Sequence, residues 1–161
     1  MGFMASGKSA VGRHLARRLG WTFLDADREV EAEAGRSIPR IFAEEGEDAF
    51  RRHETEVMQR LLARRQVVLA SGGGWPCREG RLERLPEGTL SVWLRVSPRE
   101  AVARASRSSH SRPLLDVERP GDRARELLAA REPFYRKAHL AVDTEGRTPG
   151  EVAREIARHL D

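Results

Sequence analysis

The chain is short of several things that whole classes of function depend on. It has one cysteine, Cys77, in 161 residues, so no disulfide framework can staple it. No apolar run approaches the roughly 18 residues needed to cross a bilayer, and the first residues carry no leader pattern. A cytoplasmic protein without membrane contact is therefore expected. Lysine is nearly missing: only Lys8 and Lys137 stand beside 27 arginines. The net charge is +4, yet the arginines alternate with acids, as in Arg28-Glu29-Val30-Glu31 and Arg81-Leu82-Glu83-Arg84. With no basic block and no interleaved aromatics, no nucleic-acid partner is expected. The five histidines show no metal-ligand spacing.

What is present begins at the second residue. Gly2-Phe3-Met4-Ala5-Ser6-Gly7-Lys8-Ser9 is an unbroken G-x-x-x-x-G-K-[ST]. Glycines let consecutive backbone N–H groups turn inward around a phosphate. Lys8 adds a mobile positive charge for the β/γ-phosphates, and the Ser9 hydroxyl is placed to hold Mg²⁺. Val11, Leu15 and Leu19 then recur as one helical stripe, and Gly20 stops it. A helix starting at the loop also aims its positive dipole end at the phosphate. Such a loop normally follows a buried strand, and here only Met1 precedes it.

Short apolar strands alternate with helices along the rest of the chain. Strands are expected at Thr22–Leu24, Val67–Ala70, Ser91–Val96 and Leu140–Val142. Helices are expected over 28–34, from Ser37 to a break at Gly46, over 48–64, from Pro98 behind a Ser97/Glu100 capping box, over 122–137, and from Pro149 behind Thr148/Glu151 to His159. The alternation points to one α/β domain, 1–161, with a parallel sheet covered on both faces. Ser106 to Ser111 is polar with no apolar period and reads as a loop.

Candidate site residues gather where such sheets bind ligands, past the strand ends. Asp25 and Asp27 lie two apart, as if on one extended segment, so both can face one crevice. One could serve a metal and the other an acceptor hydroxyl. Ser71-Gly72-Gly73-Gly74 follows the Val67–Ala70 strand and allows a ligand close backbone approach. Arg51, Arg112 and Arg131 are suited to carboxylate or phosphate.

In this order the motifs resemble shikimate kinase, of the nucleoside-monophosphate-kinase-like P-loop family. They are Gly2–Ser9, Phe23-x-Asp25-x-Asp27, Phe50-Arg51-x-x-Glu54, Gly72-Gly73-Gly74, Arg112-Pro113-Leu114-Leu115, Arg131-x-Pro133-x-Tyr135 and Arg147-Thr148-Pro149. The resemblance covers nearly the whole chain. It implies a three-layer fold with strand order 2-3-1-4-5, the first strand largely missing here, helices 28–60 around the acceptor and a lid at 105–117. It implies ATP-dependent phosphorylation of the 3-hydroxyl of shikimate with Mg²⁺, by a monomer. Asp27, Lys8 and Arg112 would be catalytic. Gly2, Ala5, Ser6, Gly7, Lys8, Ser9, Ala10, Arg104, Arg112, Arg147 and Pro149 would bind ATP. Asp27, Phe42, Phe50, Arg51, Gly72, Gly73, Gly74 and Arg131 would bind the acceptor, and Ser9 and Asp25 the metal. Trp75 stands where the family usually has a small residue, so its ring either narrows the acceptor pocket or packs away from it. The residues alone leave open a related kinase for another anionic or polyol acceptor, or a nucleotide-binding module without turnover.

Overall fold

The phosphate loop feeds straight into the first helix of the computed structural model, which describes residues 1–107 and 118–160. Helix α1 (Lys8–Leu19) starts after Gly7 at φ 90° and ends at Gly20 at φ 67°, both left-handed positions that glycine adopts without strain. Its expected stripe is used: Val11 and Leu15 pack in one cluster with Leu94, Val142, Val152 and Ile156. Gly12 is required for closeness, since a Cβ there would meet the Phe23 ring at 2.5 Å.

Strand β1 (Thr22–Asp25) leads into α2 (Ala26–Ala34) and α3 (Ile38–Leu62). The expected break at Gly46 appears as a kink, at φ 81° and ψ 174°, inside α3. Next come β2 (Val67–Ala70), β3 (Val92–Arg95), α4 (Pro98–Ser106), α5 (Pro120–Tyr135), β4 (Leu140–Asp143) and α6 (Pro149–Ala157). The capping box at α6 forms in full, Thr148 and Glu151 each bonding the other's backbone. The one expected at α4 forms by half. Ser97 Oγ accepts from the Glu100 N–H, but the Glu100 carboxylate is taken by Arg104 at 2.8 Å, and Glu145 accepts the Ser97 N–H instead. An arginine one turn on outcompetes a neutral N–H for a carboxylate.

All pairing is parallel. β1 joins β2 with Thr22 opposite Val67 and Asp25 opposite Ala70; β3 joins β4 with Val92 opposite Leu140. Among the described residues these are two separate pairs. In the expected order they are the second and third strands and the fourth and fifth, with the first strand's place between them. A cavity of about 720 Å³ lies there, lined by Val67, Leu69, Val92, Leu94, Leu15 and Trp75 among others. Met1 lies along its β3 side. Its amine donates to the Val92 carbonyl at 2.8 Å, and the Leu94 N–H donates to the Met1 carbonyl at 2.9 Å, the hydrogen-bond pair of a parallel ladder. The gap explains a deviation from expectation: Val67, Val68 and Leu69 read as a strand buried on both faces but are only half-buried.

Candidate functional site

The site grows from the C-terminal ends of β1 and β2 and from the loop before α1. In that loop Ala5 sits at φ 59°, unusual for a residue with a Cβ, and the Ser6 N–H donates to the Phe3 carbonyl at 3.2 Å. Lys8 Nζ donates to the Gly2 and Phe3 carbonyls, both at 3.0 Å, so its charge lies across the loop's concave side. Ser6 is fully buried, and its Oγ has no hydrogen-bond partner.

Asp25 is the junction between loop and acceptor side. Its Oδ2 accepts from Ser9 Oγ at 2.7 Å, and its Oδ1 caps α2 by accepting the Asp27 N–H at 3.2 Å. The two aspartates are thus brought together for a different reason from the expected one. Asp27 is not on the strand but in the first turn of α2. Burial raises the Asp27 carboxyl to about 6. The charges of Asp25, Glu54 and Glu31 push the same way, and Lys8 pulls against them.

The three glycines after β2 each leave room for a different side chain. A Cβ on Gly72 would meet Glu54 Oε1 at 2.7 Å and Asp27 Oδ1 at 2.9 Å. One on Gly73 would lie 3.4 Å from Arg131 Nη1, and one on Gly74 would lie 3.0 Å from Arg51 Nη1. The triple glycine is therefore where Asp27, Glu54, Arg131 and Arg51 converge. Arg51 is fixed by Glu54 at 2.8 Å and Glu47 at 3.1 Å. Glu54 is buried beside it, an acid whose role the motif pattern alone does not disclose. Its position three residues after Arg51 on one helix face was the available signal. Phe50 lies under Arg51 at 5.1 Å, and Phe42 packs on Phe50 at 4.8 Å. Phe42 is 39% exposed, an apolar wall open to solvent.

Trp75 turns away from this convergence. It is buried among Met58, Leu61 and Leu82 and lines the cavity between β2 and β3. Arg81 covers its ring at 5.0 Å and donates to its carbonyl at 3.3 Å.

Across the phosphate loop, Arg104 is held by Glu100, by the Thr144 carbonyl at 2.9 Å and by Thr144 Oγ1 at 3.1 Å, and reaches the Ala5 carbonyl at 3.5 Å. Thr144 went unnoticed in the sequence, having no motif around it. Arg147 folds onto the Asp143 carbonyl at 3.1 Å and pairs with Glu155 at 2.6 Å, beside Pro149 at the start of α6. Ala10 lies in the first turns of α1. Arg112 and most of the expected lid lie outside the described residues. No helix among the described residues is long and apolar enough to cross a membrane.

Known proteins are similar to this chain over nearly its whole length. The family model described as shikimate kinase matches residues 4–161. A shikimate kinase of Moorella thermoacetica is 47% identical over 160 residues, covering 99% of this chain and 91% of that protein. One of Thermus thermophilus is 47% identical over 161 residues, covering 99% of this chain and 86% of that protein. Among solved structures, shikimate kinase from Acinetobacter baumannii in complex with shikimate superposes with a TM-score of 0.91 at 40% identity, covering 99% of this chain and 89% of that one. The Aquifex aeolicus shikimate kinase gives a TM-score of 0.86 at 38% identity, covering 99% and 93%.

Proposed function

The chain belongs to the shikimate kinase family, and on that premise we propose how its residues divide the transfer of a phosphoryl group from ATP to the 3-hydroxyl of shikimate. Phosphoryl transfer needs little covalent help from a protein. It needs two substrates held in line and charge neutralised as it moves.

The donor is held by the loop. Gly2, Ala5, Ser6, Gly7 and Ala10 line the phosphate side, and Lys8 exchanges its loop carbonyls for phosphate oxygens. Arg104, Arg147 and Pro149 flank the adenine. Ser9 and Asp25 offer a hydroxyl and a carboxylate 2.7 Å apart, a hard oxygen pair suited to Mg²⁺. Bound there, Mg²⁺ would neutralise charge on the β- and γ-phosphates.

The acceptor is held by the glycine convergence. Arg51 and Arg131 pair with its carboxylate, Gly72, Gly73 and Gly74 offer backbone, and Phe42 and Phe50 cover its ring. Asp27 accepts the 3-hydroxyl proton. The observation that carries this reading is Asp27 itself: a carboxylate raised to about 6, facing Gly72 on one side and feeling Lys8 on the other. A base with a pKa near the working pH abstracts a hydroxyl proton better than an ordinary carboxylate would. The burial of Trp75 in the core also leaves the acceptor pocket open for turnover.

The test is ADP release by the purified protein with ATP, Mg²⁺ and shikimate. Asp27→Asn is expected to lower kcat by about 10²- to 10⁴-fold. In the parent, kcat/KM for shikimate should fall tenfold per pH unit below about 6, where Asp27 becomes protonated. Full activity in Asp27→Asn would sink the assignment.

A further inference from the structure

The end of α5 sends a second side chain to the glycine convergence. Tyr135 is one turn beyond Arg131, and its hydroxyl donates to the Gly73 carbonyl at 2.6 Å. The residue is fully buried, its ring packed on Trp93 at 5.8 Å and among Phe3, Val96 and Ala124. The packing needs only the ring. Ring packing alone would be served equally by phenylalanine, so the hydroxyl is accounted for by the bond it makes. The hydroxyl instead reaches a carbonyl 62 residues away in sequence. Cys77 Sγ is a second, weaker donor to the same oxygen at 3.5 Å.

That oxygen has a partner at the other end of its own peptide. The Gly73 carbonyl and the Gly74 N–H belong to one planar unit and point in opposite directions. Holding the oxygen against Tyr135 turns the Gly74 N–H away from α5. Between two glycines no Cβ restrains this peptide plane, and it can rotate at little steric cost. Within the loop only the weak Cys77 thiol contact touches this oxygen, so the Tyr135 hydroxyl is its strong anchor. Gly74 is also the residue against which the Arg51 guanidinium lies.

We propose that Tyr135 is a positioning residue for the acceptor: its hydroxyl locks the Gly73–Gly74 peptide so that the Gly74 N–H is presented to the shikimate carboxylate beside Arg51 and Arg131. The inference rests on reading Arg51, Arg131 and the glycines as the acceptor wall. Tyr135→Phe removes one oxygen and keeps the ring. It is expected to raise the shikimate KM by about five- to tenfold, the value of one well-placed hydrogen bond, with the ATP KM unchanged and kcat less affected. A structural role alone would lower Tm and leave the split between the two KM values unmoved. An unchanged shikimate KM in a folded Tyr135→Phe protein overturns the proposal.

A second measurement needs no variant. Tyr135 is the only tyrosine, so growth on 3-fluorotyrosine gives a single ¹⁹F resonance from this ring. That resonance should shift on adding shikimate, and no shift at saturating shikimate would also overturn the proposal. Arg51→Met, assayed in parallel, separates the two levels. If it raises the shikimate KM while Tyr135→Phe does not, the acceptor wall stands and the role of Tyr135 falls. If neither moves it, the wall reading falls as well.

Discussion

Two empty spaces in this molecule are bounded in opposite ways. At the triple glycine the space is made by missing side chains and edged by charge: Asp27, Glu54, Arg51 and Arg131. Between β2 and β3 the space is edged by apolar side chains and strand backbone, with Met1 hydrogen-bonded along its β3 side. The first is held by ion pairs of Arg51 with Glu54 and Glu47 within α3 and by the Tyr135 hydroxyl bond from α5 to the Gly73 carbonyl. The second interrupts the sheet yet leaves both strand pairs in register. The charged groups at the glycines are carried on α2, α3 and α5, whereas the apolar space is lined by strands. Damage at one space should read out in binding, and damage at the other in stability.

Asp27→Asn, with its expected loss in kcat, is the largest effect on the charged side. Next is Arg51→Met. Truncating one partner of a desolvated charge pair costs about 2–5 kcal/mol, so the shikimate KM should rise roughly 30-fold or more. Tm should fall as well, because Glu54 is left buried without its cation. Arg51→Lys restoring full affinity would show that a point charge suffices and that no bidentate grip is used.

On the apolar side, Trp75→Ala is expected to cost about 3 kcal/mol by removing a buried ring from the core beside Met58, Leu61 and Leu82. Thermal unfolding would register it, while the shikimate KM should not move. A shift in that KM would join the two spaces and break the comparison.

The smallest effect runs against the usual sign. The folded Asp27 carboxyl titrates near 6, above its unfolded value, so its ionisation destabilises the fold progressively as pH rises from about 4 to above 6. Asp27→Asn should therefore unfold at a higher temperature than the parent at pH 8, by about 1–3 kcal/mol, with the difference vanishing near pH 4. Calorimetry at the two pH values checks it. Equal stability at pH 8 would mean that the site tolerates the charge at no cost.

Much of this was legible in the residues. The loop, the α1 stripe, the alternation of strands and helices, and the caps at Ser97 and Thr148 follow from local rules acting over a few residues. The pairing of Glu100 with Arg104 was not, because the i,i+4 arginine competes with the backbone for one carboxylate, and composition does not say which wins. Nor was the half-burial of Val67–Leu69. Apolar strand residues read as buried wherever they lie, whereas exposure depends on what stands beside the strand.

The sequence by itself determined the ligand class and the donor machinery. A phosphate cradle is a local object, built from backbone conformations that Gly2, Gly7 and the helix start at Lys8 dictate within eight residues. Only the tertiary structure decided the proposed acceptor side. Asp27, Arg51, Gly74, Arg131 and Tyr135 come from four separate segments, and their chemistry exists only at the distances the packing sets. It also decided the direction of Trp75, since whether a large ring fills a pocket or a core depends on which of the two offers apolar contact, and here α3 does.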